Sequence, residues 1–570
     1  MLPTRLDTPR PSFAELFTPK LVSVLRRGYG LPQLQADMVA GLTVAIVALP
    51  LSMAIAIASG AGPERGLYTA IVGGFLISAL GGSRYQIGGP AGAFIVLVAA
   101  SIERHGFSGF LLATLLAGLM LIAIGFLRLG SYIRYIPHPV TIGFTAGIAV
   151  IIFASQIRDL LGLTLAGREP AALLPKVDAL WAAAPTASPA AIGVAAGTIA
   201  LILALRRYRP TWPGFLIAVV AASAAVSLAH LPVETIGSRF GGIPNALPLP
   251  QLPTITAERI LEVLPDALAF ALLGGIESLL SAVVADAMGG TRHRSNMELV
   301  AQGVANVGCA FFGGICATGT IARTATNVRS GAFSPVAGML HAAFLLAFML
   351  FAAPLASYIP LAALAGILAV VAWNMAERHE FWSILRRSRG EAAVLLATFL
   401  TTLLRDLTEG IVVGVVLGSF LFMHRMAELV SVETGTPLLS EDGPDDADAA
   451  PVGPGDGNVA VFRITGPLFF GASTKIATTL DRIGRFPKIA ILDLSAVPLA
   501  DSSAAASLKE FVARGRNNGA QVFVAGANPV VRRALEREHL GLPAVAFAPT
   551  IADARMAAQL DTSSMEASRS

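Results

Sequence analysis

Two charged residues stand in sequence that is otherwise deeply apolar. Arg323 lies in Gly313-Gly314-Ile315-Cys316-Ala317-Thr318-Gly319-Thr320-Ile321-Ala322-Arg323-Thr324, between two long apolar runs. Gly and Thr crowd the start of this stretch and helix formers begin near Ile321, the order of an extended entry followed by a helix that starts inside a membrane. Such a helix end presents unpaired N–H groups and a positive dipole, which suits an anion. Arg323 adds a permanent cation within the first turn, at a depth where charge is costly. Glu277 lies in Phe270-Ala271-Leu272-Leu273-Gly274-Gly275-Ile276-Glu277-Ser278-Leu279-Leu280-Ser281, with apolar residues for about two turns on each side. A carboxylate at that depth takes up a proton or holds a cation. Ser281, one turn on and on the same face, is placed to share a cation site. The alternative is a structural salt bridge from Glu277 to Arg323 without ion coupling. Asp286, nearer the helix end, is placed to cap or to pair with Arg292 or Arg294.

A second stretch has the same build: Leu80-Gly81-Gly82-Ser83-Arg84-Tyr85-Gln86-Ile87-Gly88-Gly89-Pro90. Pro90 suits a helix start, where its missing N–H would be unpaired anyway. Two interrupted hydrophobic segments in corresponding halves of a chain point to a transporter's binding site. Taken singly, each also reads as a re-entrant packing segment with Gly for close helix contact.

The elements that must position these residues are membrane helices. The chain has 570 residues, 54% hydrophobic and 14% charged, with a mean hydropathy of +0.69. A soluble chain would carry about a quarter charged residues. Net charge is +4, and Arg residues cluster beside apolar runs, which speaks for membrane topology and not for nucleic-acid binding. Cys309 and Cys316 give no disulfide framework and no metal spacing. No Walker loop, metal cluster or nucleophile constellation occurs, so ATP-driven pumping and enzymatic hydrolysis are unsupported and no cofactor is expected. The N-terminal residues lack the apolar core of a cleavable signal peptide.

The apolar runs fall at about 37–57, 64–81, 91–101, 108–127, 134–155, 188–205 and 212–229, then at 262–288, 295–311, 320–331, 335–352, 358–375, 391–404 and 408–428. Each set has seven members, and the third is short in both. Tyr135-Ile136-Pro137 opens the fifth and Tyr358-Ile359-Pro360 the twelfth. An odd number of spans reverses orientation, so the halves are expected to be inverted repeats. Positive charge at Arg128, Arg134, Arg206, Arg207, Arg292, Arg294, Arg378 and Arg386 places those connections, and both termini, in the cytoplasm. His138, between two prolines, reads as a proton relay or as an interfacial polar residue.

The expected division is a cytoplasmic segment 1–36, a first repeat 37–230, an extracellular connection 231–261, a second repeat 262–431, an acidic linker 432–458, an α/β domain 459–560 and a disordered tail 561–570. In the α/β domain, strands are expected at Val459–Ile464, Lys488–Leu494 and Gln521–Ala525. Helices are expected at Ser473–Ile483, Ser502–Arg514, 529–537 and 550–559.

Glu277 through Asp286, Glu298-Leu299-Val300-Ala301-Gln302-Gly303, Gly313-Gly314 and Ile321-Ala322-Arg323-Thr324 together resemble the SulP anion-transporter family, as do Ala48-Leu49-Pro50, Gly66-Leu67-Tyr68 and Gly89-Pro90. The resemblance covers nearly the whole chain. It implies fourteen segments in a core and a gate domain, elevator-like movement and a homodimer. It also implies a substrate site at Ala91, Gly92, Ala93 and Phe94 facing Thr320, Ile321, Ala322 and Arg323, with Glu277 as the coupling acid. The sodium–bicarbonate branch has Asp where this chain has Glu277, Thr in place of Ser281, and no Arg at 323. Ile276-Glu277-Ser278-Leu279-Leu280 and Trp373-Asn374-Met375 look closer to bacterial proton-coupled dicarboxylate and sulfate permeases.

Leu492-Asp493-Leu494-Ser495 with Leu499-Ala500-Asp501-Ser502-Ser503-Ala504 resembles the STAS module. That likeness implies Ser502 as a candidate regulatory phosphosite and a cytosolic STAS-binding partner, whereas local chemistry reads Asp501 and Ser502 as helix caps. The expected function is secondary transport of a small anion across a bacterial inner membrane, driven by protons, with C4-dicarboxylate or sulfate as cargo. The rivals are sodium-coupled bicarbonate transport, an uncoupled channel or exchanger, and an anion sensor acting through the STAS domain.

Overall fold

In the computed structural model, the described residues are 12–131, 137–167, 169–170, 172–210, 212–405, 407–434, 459–481, 486–542 and 544–558. The expected Arg134, Tyr135 and Ile136 lie outside them, as do most of the expected acidic linker 432–458 and the tail 561–570. Two units are separable, residues 1–415 and 416–570.

The first unit is helical. Helix α1 is Leu31–Ala58. The second segment is α2 (Pro63–Tyr68), a π turn Thr69–Gly73 and α3 (Gly74–Leu80). Strand β1 (Gly88–Pro90) and a 3₁₀ turn (Gly92–Phe94) lead into α4 (Ile95–Phe126). Gly106 breaks α4 with φ 68° and ψ 174°, so the third and fourth expected segments abut at a glycine kink. Next come α5 (His138–Leu161), α6 (Pro189–Tyr208) and α7 (Gly214–Leu228). The second half repeats the order. It runs through α8 (Ala257–Gly289), α9 (Ser295–Phe311), β2 (Ala317–Gly319) leading into α10 (Ile321–Arg329), α11 (Val336–Ala356), α12 (Leu361–Met375), α13 (Arg389–Leu404) and α14 (Leu407–Glu428). Among the described residues, eight helices are long and apolar enough to cross a membrane singly.

Packing follows the repeat. Helix α1 packs on α11 while its counterpart α8 packs on α4, and α5 packs on α13 while its counterpart α12 packs on α6. The first four segments of each half therefore interlock into a core, and the last three form a second group, the gate. Small residues let these helices approach: a Cβ on Gly118 of α4 would lie 2.7 Å from the carbonyl oxygen of Gly303 on α9, and Gly303 meets Gly118 in the same way.

Two buried acids anchor the irregular segments. Asp37, fully buried at the start of α1, accepts hydrogen bonds from the Phe333 N–H (2.6 Å), the Ser334 N–H (2.9 Å) and the Tyr29 hydroxyl (2.9 Å), fixing the turn before α11. Glu298 on α9 accepts from the Ser83 N–H (2.9 Å) and the Gln302 side-chain amide (2.8 Å), fixing the turn that feeds β1. Asp286 does not pair with Arg292 or Arg294. It accepts from the Thr291 hydroxyl (3.0 Å) and the His293 N–H (2.8 Å), and its carboxylate lies 2.7 Å from the His293 ring. The tight αL exit at Gly290 (φ 63°) folds those residues back over Asp286, which sequence order alone does not reveal.

The second unit is a five-stranded sheet in the order β3 (Ser431–Thr434), β4 (Val459–Thr465), β5 (Ile489–Ala496), β6 (Gln521–Ala525) and β7 (Ala546–Ala548). β3 is antiparallel to β4 and the rest are parallel. Helices α15 (Phe470–Asp481), α16 (Ser502–Asn517) and α17 (Pro529–Arg537) form the crossovers. Val432–Thr434, expected to open a linker, instead pair as an edge strand with β4: three paired residues are too few to show a period. Asp501 caps α16 by accepting from the Ala504 N–H (2.9 Å) and also accepts from the Phe470 N–H (2.8 Å). Ser502 is exposed in the first turn.

Replacing Gly303 with Val would force α4 and α9 apart. Overpacking of this kind costs about 1–3 kcal/mol, so the variant is expected to melt well below the parent in detergent. Asp493, a buried residue of β5, gives a pH-dependent test. Burial pushes its carboxyl up, and hydrogen bonds from Ser495 together with the Arg463 guanidinium (3.0 Å) more than reverse this, leaving it below the usual carboxylate range. Its contribution is therefore complete above the unfolded value of about 4 and is lost as pH falls through the lower folded value. Asp493→Asn should destabilise the second unit by about 1 kcal/mol at pH 7, a small figure because half-exposed Arg463 is screened. Urea titration of the full-length protein, read by proteolysis of this unit, should show that difference shrinking below about pH 4.

Candidate functional site

The two glycine-rich stretches meet inside the core. β1 and β2 pair antiparallel, Gly88 opposite Gly319, Gly89 opposite Thr318 and Pro90 opposite Ala317. Extended backbone at membrane depth survives only where its polar groups find partners, and side chains supply them. The Thr320 N–H donates to the Ile87 carbonyl (3.0 Å), and the Ile87 N–H donates to the Thr324 hydroxyl (3.1 Å). Asn306 on α9 bonds Ala317 through both its amide nitrogen (2.8 Å) and its oxygen (2.9 Å). Thr69 in the π turn accepts from the Ile315 N–H (2.7 Å), and Asn327 donates to the Tyr85 carbonyl (2.9 Å).

Each strand delivers the chain to a helix start. Ala91 and Thr320 both have extended backbone, and neither caps its helix with a side chain. The first N–H groups of a helix have no partner within it, so two uncapped amino ends flank one crossing. Ala91, Ala93 and Phe94 are buried, while Ile321 and Ala322 are exposed. Gly92 faces the gate: a Cβ there would lie 3.4 Å from Ile152 on α5 and 4.0 Å from Met375 on α12. The Phe94 ring turns inward onto Phe270 of α8 at 6.1 Å and is a packing group of the core.

Arg323 is 1% exposed. Its Nη2 donates to the Ser52 hydroxyl on α1 (3.2 Å) and to the Pro90 carbonyl (3.2 Å), while Nε and Nη1 are buried without a partner. A Cβ on Gly89 would collide with Nη1, so the guanidinium lies against β1, behind the crossing. On α8, Gly274 accepts from the Thr318 hydroxyl (3.1 Å) and the Ser281 hydroxyl donates to Thr324 (3.1 Å). Gly274, Glu277 and Ser281 share a helix face, so these two bonds bracket Glu277 against the start of α10. Glu277 is half-buried, and its buried Oε2 has no hydrogen-bond partner. Among the described residues no ion pair joins it to Arg323, so the salt-bridge alternative is not what the structure contains.

Sequence reasoning did not single out Ser52, Thr69, Asn306, Thr318 or Thr324. Their only signal is polarity inside apolar or glycine-rich sequence. His138, at the first turn of α5, is exposed.

Residues 34–398 match the Sulfate permease family, and residues 450–554 match the STAS domain. The chain is 40% identical over 523 residues to the putative sulfate transporter YvdB of Bacillus subtilis (strain 168), covering 90% of this chain and 95% of that protein. It is 30% identical over 520 residues to the bicarbonate transporter BicA of Picosynechococcus sp. (strain ATCC 27264 / PCC 7002 / PR-6), covering 88% and 90%. The transmembrane domain of a cyanobacterial BicA superposes with a TM-score of 0.61 at 32% identity, covering 67% of this chain and 98% of that one. The murine Slc26a9 anion transporter in its inward-facing state superposes with a TM-score of 0.82 at 19% identity, covering 98% and 97%, a likeness of fold. By its family match and by relatives that it spans nearly end to end, the chain belongs to the sulfate permease family of membrane transporters, and its C-terminal unit is a STAS domain.

Proposed function

We propose that this protein is a proton-coupled secondary transporter of a small oxyanion, with sulfate as the first candidate cargo. The observation that carries this is the crossing of β1 and β2. Two uncapped helix ends open toward one point, the Arg323 guanidinium stands behind it with two N–H-bearing atoms unpartnered, and the unpaired Glu277 carboxylate stands beside it. Helix N–H groups and a delocalised cation suit a doubly charged tetrahedral anion or a dicarboxylate. An ionised carboxylate without a partner in the membrane interior is costly. Glu277 therefore takes its proton with the anion, which also reduces the charge moved against the membrane potential.

Ala91, Gly92 and Ala93 on one side and Thr320, Ile321 and Ala322 on the other form the backbone cradle. Arg323 supplies the field, and Ser281 holds the cradle through Thr324. Sliding of the core past the gate carries the site across in an elevator-like movement. The positive loops support an orientation with both termini on the cytoplasmic side of a bacterial inner membrane. The STAS domain regulates or dimerises, and the exposed Ser502 hydroxyl at the α16 start accepts a phosphate in that role. The resemblance of the whole chain to BicA favours bicarbonate as the second reading, against which stand Glu277, Ser281 and Arg323.

Uptake of labelled sulfate, fumarate and bicarbonate into proteoliposomes under imposed proton or sodium gradients tests the proposal. Sulfate should accumulate against its gradient only when protons are supplied. Glu277→Gln should keep downhill exchange and lose accumulation. Arg323→Gln should lower sulfate affinity by about tenfold, the loss of one positive charge acting through β1 at reduced dielectric, and Arg323→Lys should recover part of it. Sodium-driven bicarbonate uptake would replace this reading with the second, and proton-driven accumulation of fumarate alone would change the cargo.

A further inference from the structure

A second positively charged feature has no part in the transport site. At the end of the core that carries the chain's amino-terminal residues, the short helix Lys20–Leu25 lies against the turn after Leu80 and the α8–α9 connection. They enclose a cavity of about 300 Å³. Its wall holds five basic side chains, Lys20, Arg27, Arg84, Arg292 and Arg294, and no acid.

Arg84 and Arg294 hold their side chains on neutral partners, and Lys20 is anchored through its backbone. The Lys20 N–H donates to the Gly81 carbonyl (2.9 Å). Arg294 donates to the Thr18 carbonyl (2.6 Å) and the Ser23 hydroxyl (2.9 Å). Arg84 donates to the Phe333 carbonyl (2.6 Å) and lies over the Phe333 ring at 4.4 Å. Every fixed partner is thus neutral, and among the described residues none of the five forms an ion pair. The nearby acids are hydrogen-bonded elsewhere, Asp286 to Thr291 and His293 and Glu15 in the cap of the helix Phe13–Phe17 with Ser12, and their attraction offsets only part of the crowding at Lys20 and Arg294. Burial lowers the affinity of Lys20 for its proton, and the neighbouring Arg294 lowers it further. Burial and then Arg27 act on Arg294 in the same direction. Crowded cations around a concave, acid-free wall are the electrostatic form of an anion site.

We propose that this pocket binds a tetrahedral phosphate-type oxyanion, supplied by the head group of an anionic lipid or as free inorganic phosphate. The inference does not depend on the transport reading. The surroundings are those of a membrane interface. Leu25, on the same short helix as the lining residues Lys20 and Val24, and Leu31, four residues after Arg27, are 49% and 73% exposed, and Phe13 on the preceding helix is 60% exposed, so exposed apolar side chains accompany the basic ones in this segment, the composition of a membrane-surface element. Arg27 and Arg292 are exposed, and among the described residues their side chains make no hydrogen bond, which leaves them available to close over a ligand.

The test uses the full-length protein in mild detergent. Native mass spectrometry counts retained phosphatidylglycerol against phosphatidylcholine, and equilibrium dialysis measures labelled inorganic phosphate. Arg27→Ala/Arg292→Ala is compared with Arg207→Ala/Arg386→Ala, a control that removes the same charge from exposed positions elsewhere, and melting curves verify that both variants fold. Retention of phosphatidylglycerol over phosphatidylcholine that falls about thirtyfold in the first variant and not in the control, from roughly fivefold per charge, establishes a lipid site. The same pattern with phosphate alone establishes a free-anion site. Equal binding by both variants, or no binding of either probe by the parent, overturns the proposal.

Discussion

Backbone that is neither helix nor barrel cannot stand in a membrane unless the protein itself satisfies it. The crossing of Gly88–Pro90 with Ala317–Gly319 meets that constraint, and the rest of the core follows from it. Thr69, Asn306, Thr318, Thr324 and Asn327 are spent on the carbonyls and N–H groups around the two strands. What they leave open are the first N–H groups of the 3₁₀ turn that leads into α4 and of α10. The fold thereby concentrates unpaired donors, scarce inside a membrane, at one point.

Charge is arranged around that point by the same economy. Arg323 is held by Ser52 and the Pro90 carbonyl, so it acts through the thin wall of β1 instead of projecting into open space. Glu277 lies between two fixed bonds, Thr318 to Gly274 and Ser281 to Thr324, yet makes none through Oε2. A cation and an acid near one site without a direct pair leave each free to respond to a ligand. Glycine controls the surfaces around them: Gly118 and Gly303 weld α4 to α9, while Gly92 lies near the gate residues Ile152 and Met375 without interlocking. The first contact suits a rigid body, the second a sliding one.

Much of this was legible in the sequence, for physical reasons. Long apolar runs bounded by Arg, Gly and Pro mark membrane helices, and the expected 295–311 and 320–331 correspond to Ser295–Phe311 and Ile321–Arg329. Lone charges at mid-membrane depth marked Glu277 and Arg323. The pairing of β1 with β2 was not legible, because three residues carry no period, and neither were contacts such as Thr69 with Ile315, 246 residues apart. Asp286 was read by its nearest arginines, whereas the αL turn at Gly290 delivers His293 instead. The direction of the Arg323 side chain depends on Gly89 lacking a Cβ, a fact about space that spacing does not encode.

The most direct test of the central claim is to locate the anion. Selenate is a heavy analogue of sulfate, and an anomalous difference map of the protein crystallised with it would place a single peak. The account predicts that peak between the backbone N–H groups of Gly92 and Ala322, within reach of both helix ends. A peak elsewhere in the membrane unit, with the crossing of β1 and β2 empty at saturating selenate, would contradict it.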